Sequence, residues 1–137
     1  MAATTIRDLL RVGVADAPAI GAPDRAPLTY AGLNALADET GRALNEFGVG
    51  RNDRVAIVLP NGPEMAAAFV AIGANATTAP LNPAYREDEF SFYLEDLNAK
   101  ALVILAGDDT PAKTSADKLG IPVLQISPPA GAPAGQF

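Results

Sequence analysis

Few side chains in this chain of 137 residues can do chemistry, because it contains no cysteine and no histidine. Without cysteine there is no thiol nucleophile and no disulfide framework. Without histidine there is no imidazole base, and the usual zinc ligand sets cannot be assembled. What remains is the chemistry of carboxylates, hydroxyls, lysine and arginine.

The densest set of such groups consists of five acids, Glu87, Asp88, Glu89, Glu95 and Asp96. Carboxylates at this spacing could bind a metal ion or act as an acid/base pair. If the segment is a helix with Phe90 and Tyr93 facing inward, however, the acids mostly face solvent. We therefore interpret them as a solvated helix surface and predict no metal site.

Two short patterns resemble ligand-binding loops. Gly48-Val49-Gly50 follows a predicted helix and precedes a predicted strand, which is the reverse of a dinucleotide fingerprint, so we interpret it as a helix stop and a turn. Pro60-Asn61-Gly62 is better placed, because it lies at the carboxyl end of a strand and before a helix, where α/β folds usually bind ligands. Thr77-Thr78 could donate hydroxyls, although β-branched residues are expected in a strand in any case.

The elements that must position these residues begin with a predicted helix over residues 4–15 and two short strands over 18–22 and 28–30, joined by a turn. The clearest helix follows and ends at Gly48. Its predicted apolar face consists of Leu33, Leu36, Ala37, Thr40, Leu44 and Phe47.

Strands and helices then alternate. The predicted strands cover residues 54–59, 77–81, 101–105 and 121–126, and the predicted helices cover 65–74, a segment starting at Glu87, and 110–120. Asn61 and Glu64 have the spacing of a capping box, and the mostly alanine helix after them is apolar on every side, so we expect it to be buried. The nearly continuous apolar runs at 54–59 and 101–105 indicate strands covered on both faces. The predicted fold class is α/β, a mostly parallel sheet with right-handed crossovers and flanking helices.

Composition excludes several functions. Apolar residues make up 49% of the chain and the net charge is -6, which argues against nucleic acid and anionic membrane surfaces. No apolar run approaches the roughly 20 residues that span a bilayer, and the N-terminus does not resemble a signal peptide, so we expect a cytoplasmic protein. We predict one α/β subdomain over residues 1–127 and a Pro/Ala/Gly-rich linker or frayed end over 128–137.

Three segments in register carry a family resemblance, namely residues 28–33, 53–61 and 71–83. Together they resemble the acyl-adenylate-forming superfamily of AMP-dependent synthetases and ligases. Residues 28–33, Leu-Thr-Tyr-Ala-Gly-Leu, resemble its first core motif, and residues 53–61 resemble the strand and turn that follow. Residues 71–83 resemble the second core motif, with its Pro-Leu-Asn-Pro turn. Residues 84–94 are similar to the oxalate–CoA ligase branch. The resemblance implies the N-terminal part of the large domain of an acyl-CoA synthetase.

Three positions depart from the pattern of this superfamily. Gly32 replaces the usual Glu, which removes the carboxylate that would complete a capping box with Thr29. Asn52 replaces a usual Gly but tolerates a positive φ. Arg86 stands where a Thr or Ser cap is common. We expect these changes to affect local stability more than function.

The reaction that the resemblance implies joins a carboxylate to coenzyme A through an acyl-adenylate, with ATP and Mg²⁺ as cofactors and a role such as fatty acid metabolism. The superfamily uses a phosphate loop ending in Pro-Lys-Gly, a Tyr-Gly-x-Thr-Glu segment, a ribose-binding Asp and a C-terminal Lys. None of these occurs here, and Thr77-Thr78 and Thr114-Ser115 lack the necessary glycines and lysine. We therefore assign no catalytic, cofactor-binding or metal residue, and expect these 137 residues to be inactive and to bind none of the cofactors alone.

Two other interpretations remain open at this point. The chain could be an independent binding or dimerisation module with a synthetase-like fold, or an unrelated nucleotide-binding α/β domain, which the misplaced glycines disfavour. A fragment of a longer synthetase predicts exposed apolar sheet edges and self-association.

Overall fold

Helices and strands alternate along residues 2–137, which the computed structural model describes. In chain order they are helix α1 (Ile6–Leu10), strands β1 (Pro18–Ala22) and β2 (Arg25–Thr29), helix α2 (Tyr30–Glu46), strand β3 (Arg54–Val58), helix α3 (Pro63–Gly73), strand β4 (Thr77–Pro80), helix α4 (Glu87–Asp96), strand β5 (Ala101–Leu105), helix α5 (Pro111–Leu119) and strand β6 (Val123–Ile126). This alternation confirms the predicted α/β class.

The four later strands form one parallel sheet in the order β4-β3-β5-β6. Parallel neighbours require a crossover connection, and helices α3, α4 and α5 lie in the connections. Strands β1 and β2 form a separate antiparallel hairpin. Because all strands of the larger sheet run in one direction, their carboxyl ends meet at one edge.

Side chains of the two central strands alternate between two apolar layers, which explains their continuous hydrophobicity. Val55, Ile57 and Val103 pack in a cluster with residues of α2 and α3. Ala56 and Leu102 point to the other face and pack in a cluster with residues of α4 and α5. The sheet is therefore covered on both sides, as its sequence predicts.

Helix α1 is shorter than the predicted helix over 4–15. Thr5 caps it, its hydroxyl oxygen accepting a bond of 3.0 Å from the Asp8 amide, but it ends at Leu10. Beyond that residue a helix would bury little, since Val12 and Val14 are 72% and 73% exposed. Without a buried face, a continued helix would have no tertiary packing to stabilise it.

The start of α3 corrects the predicted capping box of Asn61 and Glu64. Gly62, and not Asn61, precedes the helix, and no side chain caps it. Glu64 forms an ion pair with Arg25 instead, and Arg25 begins a strand where the sequence predicted a turn. The helix is also less buried than its composition suggests, because Phe69 on its outer side is 43% exposed.

The predicted helix ends and turns are confirmed by their backbone angles. Gly48, Asn52 and Gly120 have φ of 73°, 70° and 69°, in the left-handed region that glycine and asparagine tolerate. Thr29 caps α2 through a bond of 3.1 Å from the Gly32 amide. Phe47, predicted on the buried face of α2, lies just beyond the helix and is 53% exposed.

The segment over residues 128–137 contains no helix or strand, yet it is packed against the domain. Ala134 is fully buried, and its amide donates a bond of 2.8 Å to the Ala26 carbonyl. Phe137 packs against two of the apolar clusters. The assignment of residues 128–137 as a linker or frayed end stays a prediction. Across residues 2–137, every helix is too short or too polar to cross a bilayer.

Candidate functional site

The loop at the carboxyl end of β3 is the sequence-predicted ligand loop, and it borders a cleft. Residues 60–62 follow the strand directly and are exposed. A cleft of about 280 Å³ is lined by residues 59–64 together with Leu105 and Pro128. The prediction that this loop lies at the carboxyl edge of the sheet is confirmed. Its polar groups include main-chain amides and the Asn61 amide, which can position a ligand but cannot transfer protons.

A second cleft beside the first contains the charged pair of this edge. It measures about 460 Å³ and is lined by residues 24–26, by Glu64 and by Pro128, Pro129, Gly131 and Ala132 of the C-terminal segment. Arg25 Nη1 donates to Glu64 Oε1 at 2.6 Å, and Arg25 Nη2 donates to the Pro133 carbonyl at 3.1 Å. The carboxylate is thereby committed to a guanidinium, so this pair holds the loop and the C-terminal segment together and provides no free base.

Sequence reasoning missed this pair because Glu64 was assigned to a capping box. Arg25 and Glu64 are 39 residues apart, and only the packing of the hairpin on α3 brings them together. The absence of a Ser or Thr at the helix start was the one available signal that Glu64 has another partner.

The glycine pair and Thr77 lie at the opposite, amino edge of the sheet. The Gly50 amide donates to Asp53 Oδ2 at 2.9 Å, closing the turn before β3. The Thr77 amide donates to the Asp53 carbonyl at 2.8 Å, where β4 begins. The interpretation of Gly48-Val49-Gly50 as a helix stop and a turn is confirmed, and the fold does not bring it near the ligand loop.

Ser115 serves packing and not phosphate binding. It is fully buried on α5, where its hydroxyl donates to the Glu87 carbonyl at 2.8 Å. Its oxygen also accepts a bond of 3.0 Å from the Ser91 hydroxyl. These bonds join α5 to α4 and satisfy the buried group, as buried hydroxyls require.

The five acids of α4 are confirmed as a largely solvated surface. Asp88, Glu95 and Asp96 are exposed, and Glu87 forms an ion pair with Lys118 of α5. Among residues 2–137, no three Asp or Glu side chains are grouped in a way that could hold a metal ion.

The profile of AMP-binding enzymes matches residues 12–132, nearly the whole of the described fold. The chain belongs to the AMP-binding enzyme family. The three motif segments lie where the family resemblance places them: at the β2–α2 junction, along β3 and its loop, and from the end of α3 through β4.

Similar proteins of this AMP-binding family include CoA ligases. The chain is 38% identical over 108 residues to an oxalate–CoA ligase of Arabidopsis thaliana, covering 77% of this chain and 21% of the relative. It is 35% identical over 77 residues to the long-chain-fatty-acid–CoA ligase FadD13 of Mycobacterium tuberculosis, covering 56% of this chain and 15% of the relative. The chain therefore spans about a fifth or less of the length of the curated relatives that it matches.

A solved structure supports the fold independently. MatB from Rhodopseudomonas palustris, crystallised in its apo form, superposes with a TM-score of 0.78 at 24% identity. The superposition covers 96% of this chain and 26% of that protein. The α/β fold of this chain is thus shared with part of MatB.

The side chains at the carboxyl edge of the sheet do not by themselves fit a triphosphate or a Mg²⁺ ion. A triphosphate needs several converging N–H or cationic donors, and the carboxyl edge offers one arginine that already pairs with Glu64. A Mg²⁺ ion usually takes carboxylates that are free to coordinate it. We therefore derive no chemical step through the side chains of this chain.

Residues 84–94, which resemble the oxalate–CoA ligase branch, form an aromatic group at the start of α4. The Tyr85 and Tyr93 rings stack with centroids 5.1 Å apart and planes inclined by 13°. The Phe90 ring meets Tyr85 edge-on at 5.7 Å. Hydrogen bonding with the Tyr93 side chain raises the pKa of Tyr85 above its ordinary value of 10.0, and partial burial and the charge of Glu89 act in the same direction.

Replacing Tyr93 with phenylalanine tests this hydrogen bond. Tyr93→Phe keeps the ring and removes the hydroxyl, so the pKa of Tyr85 should fall toward its ordinary value, as followed by the ring-carbon NMR shift of Tyr85. Because the folded-state pKa is raised, the stabilising contribution of the neutral phenol is present below about pH 10 and is lost as the pH rises through the folded-state pKa. Tyr30→Phe is the control, and an unchanged Tyr85 titration in Tyr93→Phe would contradict the assignment.

Proposed function

We propose that this chain is the N-terminal α/β part of an ATP-dependent acyl-CoA synthetase that converts a carboxylate, ATP and coenzyme A into acyl-CoA, AMP and pyrophosphate. The observation that carries the proposal is the match of the AMP-binding enzyme family to residues 12–132, on an α/β fold with a four-stranded parallel sheet. The CoA ligases among its relatives support the reaction class.

In the proposed reaction a carboxylate oxygen attacks the α-phosphorus of Mg·ATP and pyrophosphate leaves. The thiol of coenzyme A then attacks the acyl carbon and AMP leaves. Catalysis of this kind depends on positioning and on stabilising negative charge at the phosphoryl oxygens. We assign both tasks to residues beyond this chain, while this part supplies the scaffold and the loop at 60–62. A cytoplasmic location fits a reaction that consumes ATP and coenzyme A.

The acyl group is proposed from residues 84–94 and from the similarity to an oxalate–CoA ligase, which favour a small dicarboxylate. ATP–pyrophosphate exchange by the protein encoded by the complete gene would test this, with oxalate, malonate and a long-chain fatty acid as substrates. Exchange with the small dicarboxylates is the expected result. Activity on the fatty acid alone would contradict the substrate, and no exchange with any carboxylate would contradict the reaction class.

The 137 residues alone are expected to bind no nucleotide. Isothermal titration calorimetry of this chain with MgATP should give only heats of dilution, because the described residues offer no converging set of phosphate donors. ADP and inorganic phosphate serve as controls for unspecific anion binding. Saturable, Mg²⁺-dependent ATP binding would show that the side chains of this region form a nucleotide site.

A further inference from the structure

An exposed aromatic ring on α4 is surrounded by negative charge. Phe92 is 61% exposed. On a helix, the surface neighbours of a residue lie three and four positions away on either side. For Phe92 all four of those positions carry acids, namely Asp88, Glu89, Glu95 and Asp96.

The ring is held in place by its aromatic neighbours. Phe92 meets the edge of Tyr93 with centroids 5.3 Å apart, and Tyr93 stacks on Tyr85. Tyr85 in turn contacts the fully buried Phe90. The exposed ring is therefore linked to the core through three successive aromatic contacts.

The surrounding acids are only weakly neutralised. Arg86 approaches Asp88 at 3.7 Å and Glu89 at 3.8 Å, but its side chain is 79% exposed, and such ion pairs contribute little. Within residues 2–137, no Lys or Arg side chain lies within 4.0 Å of the carboxylates of Glu95 and Asp96. Two carboxylates beside the ring are thus free to bind a cation.

Another exposed aromatic residue shows that this arrangement is not a general property of the surface. Phe69 on α3 is 43% exposed. Its four helical neighbours are Met65, Ala66, Ile72 and Gly73, none of which is charged. The two phenylalanines therefore differ chiefly in their electrostatic surroundings, which makes Phe69 a matched control.

We propose that the surface formed by Tyr85, Phe92, Tyr93 and the four acids, here called the α4 aromatic–acidic surface, docks a lysine- or arginine-bearing segment of a partner protein. A guanidinium or ammonium group lying over an aromatic face is attracted by its quadrupole, and adjacent carboxylates add ion pairs. This surface is separate from the loop at 60–62, since α4 contributes no residue to the clefts at the carboxyl edge.

The negative charge of the α4 aromatic–acidic surface argues against other binding partners. Nucleic acids and anionic lipids would be repelled by four carboxylates. A second copy of the chain carries a net charge of -6, so two such surfaces brought face to face would repel each other. A basic protein segment is the occupant whose charge complements both the ring and its acidic border.

The test is a titration of the full chain with two fluorescently labelled peptides of equal length and apolar content, one carrying four arginines and the other four glutamates. Anisotropy at about 20 mM salt should show binding of the arginine peptide and none of the glutamate peptide, and the affinity should fall at about 150 mM salt, where screening is stronger. Phe92→Ser should weaken binding about two- to fivefold, the range expected for one exposed cation–π contact. Phe69→Ser should leave it unchanged.

A charge variant keeps the proposal testable if Phe92→Ser disturbs folding. Glu95→Gln combined with Asp96→Asn should weaken arginine-peptide binding and flatten its salt dependence, whereas Glu39→Gln combined with Glu46→Gln on α2 should not. Equal effects of the Phe92 and Phe69 variants, or equal binding of the two peptides, would overturn the proposal. Sedimentation showing a dimer that Phe92→Ser dissociates would also overturn it, in favour of a second copy as the occupant.

Discussion

Replacing Phe90 with alanine should lower the free energy of unfolding by about 3–5 kcal/mol, the range for removing a large aromatic side chain from a core. Phe90 is fully buried beneath the sheet, in a cluster with Ala56, Val58 and Leu94. Its removal leaves a cavity that the rigid strands on one side and α5 on the other cannot close. Urea unfolding followed by circular dichroism measures the change.

The matched control is Phe92→Ala, two residues along the same helix. Phe92 is 61% exposed, so its truncation should change the free energy of unfolding by less than about 0.5 kcal/mol. Similar losses for the two variants would show that the apolar layer formed by α4 is not arranged as described here.

Replacing Gly41 with valine should destabilise the fold by about 2–4 kcal/mol, because a side chain would enter a closed contact between helices. A Cβ atom at residue 41 would lie 2.3 Å from Asn75 Oδ1. Asn75 cannot move aside freely, since its amide nitrogen donates to the Ala37 carbonyl at 2.8 Å and to the Ala71 carbonyl at 2.9 Å. Its oxygen also accepts a bond from Arg7 of α1. Thermal and urea unfolding would measure the loss.

Two further variants separate the steric effect from helix propensity. Ala35→Val introduces the same β-branched residue at an exposed position of α2 and should cost less than about 1 kcal/mol. Asn75→Ala removes the side chain with which the new Cβ collides, so Gly41→Ala should be less destabilising in that background than in the original chain. Strict additivity of the two changes would contradict the contact.

Sequence periodicity and composition were sufficient to predict the strands of the parallel sheet and the helices between them. The apolar runs around Val55 and Leu102 required strands covered on both faces, and Gly48 and Gly120 marked helix ends, because these signals act within a few residues. The family assignment followed from three segments whose order and spacing agree with those of adenylate-forming enzymes, and the match to residues 12–132 confirms it.

What the sequence did not predict depends on contacts between distant residues. The pairing of Arg25 with Glu64, the bonds of Asn75 to two helices and the packing of Phe137 each join parts of the chain that local patterns treat separately. The length of α1 was not predicted for the same reason. The amount of surface that a helix buries is set by its neighbours and not by its own residues.

The strand order β4-β3-β5-β6 also has a consequence for the time course of synthesis. One side of β3 pairs with β4, which follows it closely, whereas the other side pairs with β5, as in the Val55–Ala101 register. At translation rates of about 5–20 residues per second, that second side of β3 waits on the order of 2–10 s for its partner to be made. During this interval an apolar strand with unpaired amides and carbonyls is open to association with other nascent chains. For this side of β3, the interval ends when β5 emerges from the ribosome and pairs with it.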